Sequence, residues 1–92
     1  MSNQKHELKI LPEYFQAVWD RTKTFEIRKN DRSFSVGDTL VLKEWTASEG
    51  YTGSAIVLNV TYLFDDLAFL KEGYVILGLS DYISREGLGD EN

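Results

Sequence analysis

The sequence has no cysteine and a single histidine, His6, among its 92 residues. Disulfides and thiolate metal sites are therefore excluded within this chain, and a structural zinc site would need three or four Cys or His ligands. A glycine-rich phosphate loop is also missing, because Gly50 and Gly53 have neither its spacing nor the Lys-Ser/Thr that follows it. We expect a protein that holds no metal and no cofactor.

Long apolar runs are absent too. No stretch approaches the roughly 20 apolar residues that span a bilayer. Residues 1–10 are polar and charged, without the apolar region of a secretory signal. We therefore expect a cytoplasmic protein with no membrane partner.

The composition fits one small folded domain. Hydrophobic residues make up 42% of the chain and aromatic residues 13%, which are ordinary values for a protein with a core. A chain of this length has room for one such core. We predict a single domain over residues 1–92, with a folded core at 6–83 and a frayed tail at 87–92.

Charge is unevenly distributed along the chain. The net charge is −5, which argues against unspecific nucleic-acid binding. Residues 21–32, however, hold five basic residues against two acidic ones, whereas residues 33–92 hold three against ten. One basic island on an acidic body can bind a single anion locally. The alternative is that these charges only solvate a hairpin.

Alternation and turn signals predict the secondary structure. A strand is predicted at 6–10, followed by a helix that starts with Pro12 in its first turn. Ile10 and Phe15 have the spacing of a hydrophobic staple around that start. At 23–29 apolar and polar residues alternate, which predicts a strand. Further strands are predicted at 39–45, 55–64 and 74–79, with an exposed loop at 46–53 and helical turns at 65–71.

This order of elements predicts an α+β fold that is mainly β, with about five strands and one main helix. Five short strands would leave a wide open sheet, and closing it into a small mixed β-barrel removes most of its exposed edges. The helix can then cover one end. Periodicity places six aromatic residues in the core, namely Tyr14, Phe15, Trp19, Phe25, Phe64 and Phe69.

Several segments form an ordered set of motifs. They are Leu8-Lys9-Ile10, Pro12-Glu13-Tyr14-Phe15, residues 23–32, Val36-Gly37-Asp38 and residues 74–78. This order resembles the ASCH branch of the PUA-like superfamily, and a small ASCH-related family of bacteria and phages within it. Lys23, Glu26 and Arg28 take the K, E and R positions of the family's G-x-K-x-x-E-x-R element, and Arg21 replaces its glycine. The resemblance implies a PUA-like β-barrel with an RNA-associated role and leaves any reaction open.

Glu26 and Arg28 are two residues apart on a strand, so their side chains share a face. Arg suits bidentate contacts with a phosphate or a base edge, and Glu can accept from an exocyclic amine such as that of cytosine. The two could also form a simple ion pair. Lys23 shares this face only if the strand bends, bulges, or begins after it.

Other residues are candidates for the same ligand site. Lys9 lies opposite Leu8 and Ile10 and could line a shared cleft. Lys29 and Arg32 belong to the loop region, where phosphate contacts are common. Single-stranded RNA is commonly recognised by stacking its bases on aromatic side chains. The candidate stacking residues are Trp45, Tyr51 and Tyr74.

Two functions follow as hypotheses. The first, which we favour, is a module that binds RNA or a nucleotide. The alternative is an amidohydrolase acting on an acylated cytidine, which the resemblance suggests through a lysine, a threonine three residues later and a distant glutamate. Lys23 matches the lysine, but Glu26 stands at the threonine position, and Glu72 is only a weak match for the distant acid. Lys23 and Glu26 are therefore the catalytic candidates, and no protein partner can be named.

Overall fold

The computed structural model describes residues 3–87, which form mostly β-strands and one short helix. The predicted α+β, mainly β class is confirmed. In chain order the elements are β1 (Lys5–Ile10), α1 (Pro12–Trp19), β2 (Phe25–Lys29), β3 (Thr39–Thr46), β4 (Gly50–Phe64), β5 (Tyr74–Leu79) and β6 (Ser84–Glu86).

The strands form one sheet in the order β1-β3-β4-β5-β2, and β6 pairs with β4. Strand β1 runs parallel to β3, and all other pairs are antiparallel. Over the described part of the chain β1 and β2 do not pair with each other, so the sheet has two free edges. Closure into a barrel therefore stays a prediction. Strand β6 was not predicted, because its three residues, Ser-Arg-Glu, carry no apolar alternation.

The core lies between the inner face of the sheet and α1. Alternate residues of β1 point inward, and Phe15 and Val18 of α1 pack against them. The helix starts as predicted, with Pro12 in the first turn after Leu11. No described helix has both the length and the apolar character needed to cross a bilayer.

One predicted connection is wrong, and a second is partly correct. The predicted loop at 46–53 is instead a tight hairpin, in which Gly50 already belongs to β4 and Tyr51 pairs with Trp45. A hydrogen bond of 2.9 Å from the Glu49 amide to the Thr46 hydroxyl closes its turn. In the predicted helical turns at 65–71, Asp66 caps one hydrogen-bonded turn through the amides of Ala68 and Leu70, and no regular helix follows. The predicted tail at 87–92 lies outside the described residues, except for Gly87.

The predicted aromatic core is only partly correct. Phe15 is buried and Trp19 packs against the core, but Tyr14, Phe25 and Phe69 are exposed. The error at Phe25 has a physical cause: β2 turns Phe25 and Ile27 outward and Glu26 and Arg28 inward. Glu26 is buried with 4% of its surface exposed, which is tolerated because both of its carboxylate oxygens are paired.

A buried hydrogen bond between an aspartate and a histidine anchors the turn before β3. Asp38 of the Val36-Gly37-Asp38 motif is 1% exposed and bonds His6 of β1 at 2.8 Å. It also accepts hydrogen bonds from the Gln4 and Ser35 amides, each at 3.0 Å. Burial acts to raise the pKa of Asp38, but these hydrogen bonds and the His6 ring outweigh it, so the pKa lies below its ordinary value of 3.8. The motif is thus a structural joint between β1 and β3.

Arg85 connects the last strand to the helix. Its guanidinium lies 4.3 Å from the ring centroids of both Trp19 and Tyr82, and it donates a 2.9 Å hydrogen bond to the Trp19 carbonyl. A planar guanidinium fits between two rings in a way that an ammonium group does not. This contact explains why the polar strand β6 is ordered against β4.

We expect Arg85→Lys to lower the free energy of unfolding by about 1 kcal/mol although the charge is kept, because stacking and the directed hydrogen bond are lost. Urea unfolding followed by far-UV circular dichroism measures this change. Lys71→Arg, at an exposed lysine, is the control. Equal stability of Arg85→Lys and the parent protein would show that charge alone holds β6.

Candidate functional site

A cleft of about 540 Å³ lies between the free edges of β1 and β2, with the start of α1 at one end. It is therefore a consequence of the open sheet, since the two edges face each other without pairing. Its lining combines apolar and cationic side chains with a single carboxylate. The lining residues are Lys9, Ile10, Leu11, Tyr14, Lys23, Phe25, Glu26, Ile27, Arg28 and Lys29.

The free edge of β1 is covered by arginine side chains. The Thr39 amide bonds the Gln4 carbonyl, so the backbone groups of Glu7 and Lys9, an odd number of residues further on, face away from β3. The Arg28 guanidinium donates to the Lys9 carbonyl at 2.8 Å, and Arg32 donates to the Glu7 carbonyl at 3.1 Å. These two arginines link β2 and the following loop to β1 where no backbone pairing occurs.

The free edge of β2 is covered in a similar way. The Leu79 amide bonds the Thr24 carbonyl, so the backbone groups of Phe25 and Ile27, an odd number of residues further on, both face away from β5 and toward the cleft. The Lys23 ammonium donates to the Phe25 carbonyl at 2.7 Å. Cationic side chains thus occupy carbonyl oxygens on both edges, which adds positive charge to the cleft.

Glu26 holds two of these cations in place. One carboxylate oxygen lies 2.5 Å from the Lys23 ammonium and the other 3.0 Å from Nε of Arg28. Both cations are about one-fifth exposed, whereas the carboxylate is buried, so the positive groups are more accessible to a ligand than the negative group. Two cations on one carboxylate leave a net positive charge at the base of the cleft.

Lys23 reaches Glu26 because β2 begins only at Phe25. The lysine lies in the turn after α1 and is free of strand alternation, as one of the predicted alternatives required. In the same turn Arg21 has a φ of 65°, a left-handed conformation that glycine adopts most readily.

Four apolar residues around the cleft were not predicted to line it: Leu11, Tyr14, Phe25 and Ile27 are all exposed. The Lys23 ammonium lies 5.0 Å from the centroid of the Phe25 ring and 5.7 Å from that of Tyr14. The outward position of Phe25 and Ile27 follows from the burial of Glu26, because neighbouring residues of a strand point to opposite faces.

The predicted site residues fall into two groups. Five of them, Lys9, Lys23, Glu26, Arg28 and Lys29, line the cleft. Arg32 is linked to β1 as described, and Trp45 and Tyr51 lie on the outer face of the β3–β4 hairpin, outside the cleft lining. Tyr74 does not line the cleft, and the centroid of its ring lies 5.9 Å from the Lys71 ammonium.

The cleft offers few groups for metal binding or hydrolysis. Within residues 3–87 no cluster of three His, Asp or Glu side chains could hold a metal ion. Glu26 is the single carboxylate in the lining, and the lining includes neither Glu72 nor any serine or threonine. The arrangement is suited to holding an anion or a flat polar ring rather than to moving protons between several groups.

Comparison with known proteins gives two findings. Residues 5–79 match a family described as "Domain of unknown function (DUF3850)", and this range runs from β1 to the end of β5. The chain is also 39% identical over 72 residues to a protein of Escherichia phage P2 described as "Uncharacterized 12.9 kDa protein in GpA 3'region". That match covers 78% of this chain and 64% of the phage protein, less than two thirds of its length. Because the matched range contains the whole cleft and most of the chain, the protein belongs to the DUF3850 family.

Proposed function

We propose that this domain binds RNA or a nucleotide in the cleft between β1 and β2. The observation that carries the proposal is the buried Glu26 carboxylate with Lys23 on one oxygen and Arg28 on the other. A buried carboxylate fixes two cations whose remaining N–H groups are available to a ligand, so little rotamer freedom is lost when the ligand binds.

The chemistry of the cleft fits a nucleotide better than a simple anion. Cationic donors at its base match phosphate oxygens or the carbonyl and ring nitrogen of a base. Tyr14 and Phe25 supply aromatic surface at the rim, where a base can stack. The role of Glu26 in this proposal is to position Lys23 and Arg28, since both of its oxygens are already engaged.

We also propose that the DUF3850 domain is a relative of ASCH domains and that its sheet is an opened form of the PUA-like barrel. The support is the K-x-x-E-x-R element at Lys23, Glu26 and Arg28, which forms the base of the cleft. The arginine bridges across the gap take the place of backbone pairing between β1 and β2. A cytoplasmic location is the one that this function implies.

The hydrolase alternative has less support. It requires a hydroxyl beside Lys23 and a second carboxylate, and the cleft lining offers no serine or threonine and no acid besides Glu26. We expect no release of acyl groups from N4-acylated cytidines above a Lys23→Ala control. Release that depends on Lys23 would favour the enzyme instead.

Binding is tested by titrating labelled RNA and cytidine monophosphate into the protein at low and at higher salt. We expect Lys29→Ala to weaken RNA binding by several-fold and to reduce the salt dependence by about one counterion, because Lys29 lines the cleft without belonging to the Glu26 ion pairs. Arg28→Lys should weaken binding by about tenfold or more, since the guanidinium fork is lost.

Lys71→Ala is the matched control, because Lys71 is an equally exposed lysine outside the cleft. It should leave both ligands bound as in the parent protein. The proposal fails if neither ligand binds at low salt, or if Lys71→Ala and Lys29→Ala weaken binding equally.

A further inference from the structure

A second cluster of lysines and aromatic rings lies next to the cleft, on the outer face of the sheet. Lys9 and Lys43 are neighbours across β1 and β3, and Trp45 pairs with Tyr51 across β3 and β4. We call these four residues the hairpin face. Lys9 belongs to it and to the cleft lining at once, so the two surfaces are continuous.

The lysines of the hairpin face are placed against its rings. The Lys9 ammonium lies 4.4 Å from the Trp45 ring centroid, and the Lys43 ammonium lies 5.5 Å from that of Tyr51. Glu7 holds Lys43 through an ion pair of 3.1 Å. Tyr51 is 58% exposed, so one of its ring surfaces is open to a ligand.

Aromatic rings beside fixed cations, with at least one ring exposed as Tyr51 is, can bind single-stranded nucleic acid, because bases stack on the rings and phosphates meet the cations. We propose that the hairpin face binds the nucleotides that follow the one held in the cleft, so that the ligand is a single strand of several nucleotides. This proposal rests on the proposed function of the cleft. The strand would pass from Arg28 over Lys9 to Tyr51.

The hairpin face has another interpretation, in which Trp45 and Tyr51 only stabilise the hairpin as a cross-strand aromatic pair. The two interpretations differ in a measurable way. A stabilising pair makes Tyr51→Ala less stable without changing binding. A stacking surface makes the loss of affinity depend on the length of the ligand.

The test compares the binding of cytidine monophosphate with that of labelled single-stranded oligonucleotides of about two, four and eight nucleotides, by fluorescence anisotropy. We expect affinity to rise with length in the parent protein. Tyr51→Ala should weaken the binding of the longest oligonucleotide by about tenfold and leave the affinity for the mononucleotide unchanged. Tyr51→Phe should keep the affinity, since the ring remains.

Tyr62→Ala is the matched control, because Tyr62 is an exposed tyrosine that pairs with Gly78 of β5 at the other end of β4. It should bind every ligand as the parent does. The inference is overturned if affinity does not rise with length, or if Tyr51→Ala and Tyr62→Ala behave alike while the Lys29→Ala effect persists; the cleft proposal then stands alone. If the parent protein binds no nucleic acid, both proposals are overturned.

Discussion

Asp38→Asn is expected to lower the free energy of unfolding by about 3 kcal/mol, with a fall in Tm of roughly 15 °C for a domain of this size. Both carboxylate oxygens of Asp38 accept hydrogen bonds, one from the Gln4 amide and the other from Ser35 and His6. An asparagine would place its NH₂ group against one set of these donors. Buried donors would then lose their acceptor, which costs more than the hydrogen bond itself contributes.

The control for this change is Asp81→Asn. Asp81 also forms a close ion pair, at 2.7 Å with Arg21, but both side chains are largely exposed. Exposed pairs of this kind contribute little, so thermal unfolding should show no measurable change. Equal effects of the two substitutions would mean that Asp38 is not a buried joint between β1 and β3.

The pH dependence of stability follows from the lowered pKa of Asp38. Because the folded-state pKa lies below the ordinary value of 3.8, the unfolded chain binds the proton more readily. The contribution of Asp38 is therefore complete above about pH 4 to 5 and is lost as the pH falls through the folded-state pKa. In urea unfolding at a series of pH values, the difference between the parent protein and Asp38→Asn should shrink with increasing acidity.

The fold could be predicted largely from local signals. The start of α1 followed from Pro12, and β5 followed from a continuous apolar run bounded by glycine. Local signals did not predict the elements whose formation depends on tertiary contacts. Strand β6 has no apolar pattern of its own and depends on Arg85 packing between Trp19 and Tyr82.

The spacing of the charged residues indicated which of them come together in the cleft, but not the shape of the cleft. The K-x-x-E-x-R spacing brought Lys23, Glu26 and Arg28 together as expected. The burial of Glu26 was missed because the alternation in β2 was interpreted with Phe25 and Ile27 on the inner face. Periodicity shows that a strand has two different faces, but it cannot tell which of them is the inner one. The side chains that bridge to β1 are set by sheet topology, which local spacing does not contain.

Glu26→Gln is expected to lower the free energy of unfolding by about 3 kcal/mol. The buried carboxylate is the partner of both Lys23 and Arg28. A neutral amide would leave two partly buried cations beside each other, with its own NH₂ group facing one of them. Urea unfolding monitored by circular dichroism measures this loss as a lower midpoint urea concentration. The comparison is valid if the dependence of the unfolding free energy on urea concentration is the same in both proteins.

Glu7→Gln is the matched control for this substitution. Glu7 pairs with Lys43 at 3.1 Å, a distance close to that between Glu26 and Arg28, but its side chain is exposed. We expect no measurable loss of stability there, because solvent replaces the partner. The comparison of the two variants therefore separates the effect of burial on stability from the effect of charge pairing.

Combining Glu26→Gln with Lys23→Met separates an unpaired charge from a lost contact. If the cost of Glu26→Gln comes from leaving cations unpaired, the double variant is more stable than the sum of the two single changes predicts, by about 1–2 kcal/mol. Additive effects would mean that Lys23 and Glu26 do not depend on each other. The carboxylate would then not be what holds the cations at the base of the cleft, and the proposed binding site would lose its central feature.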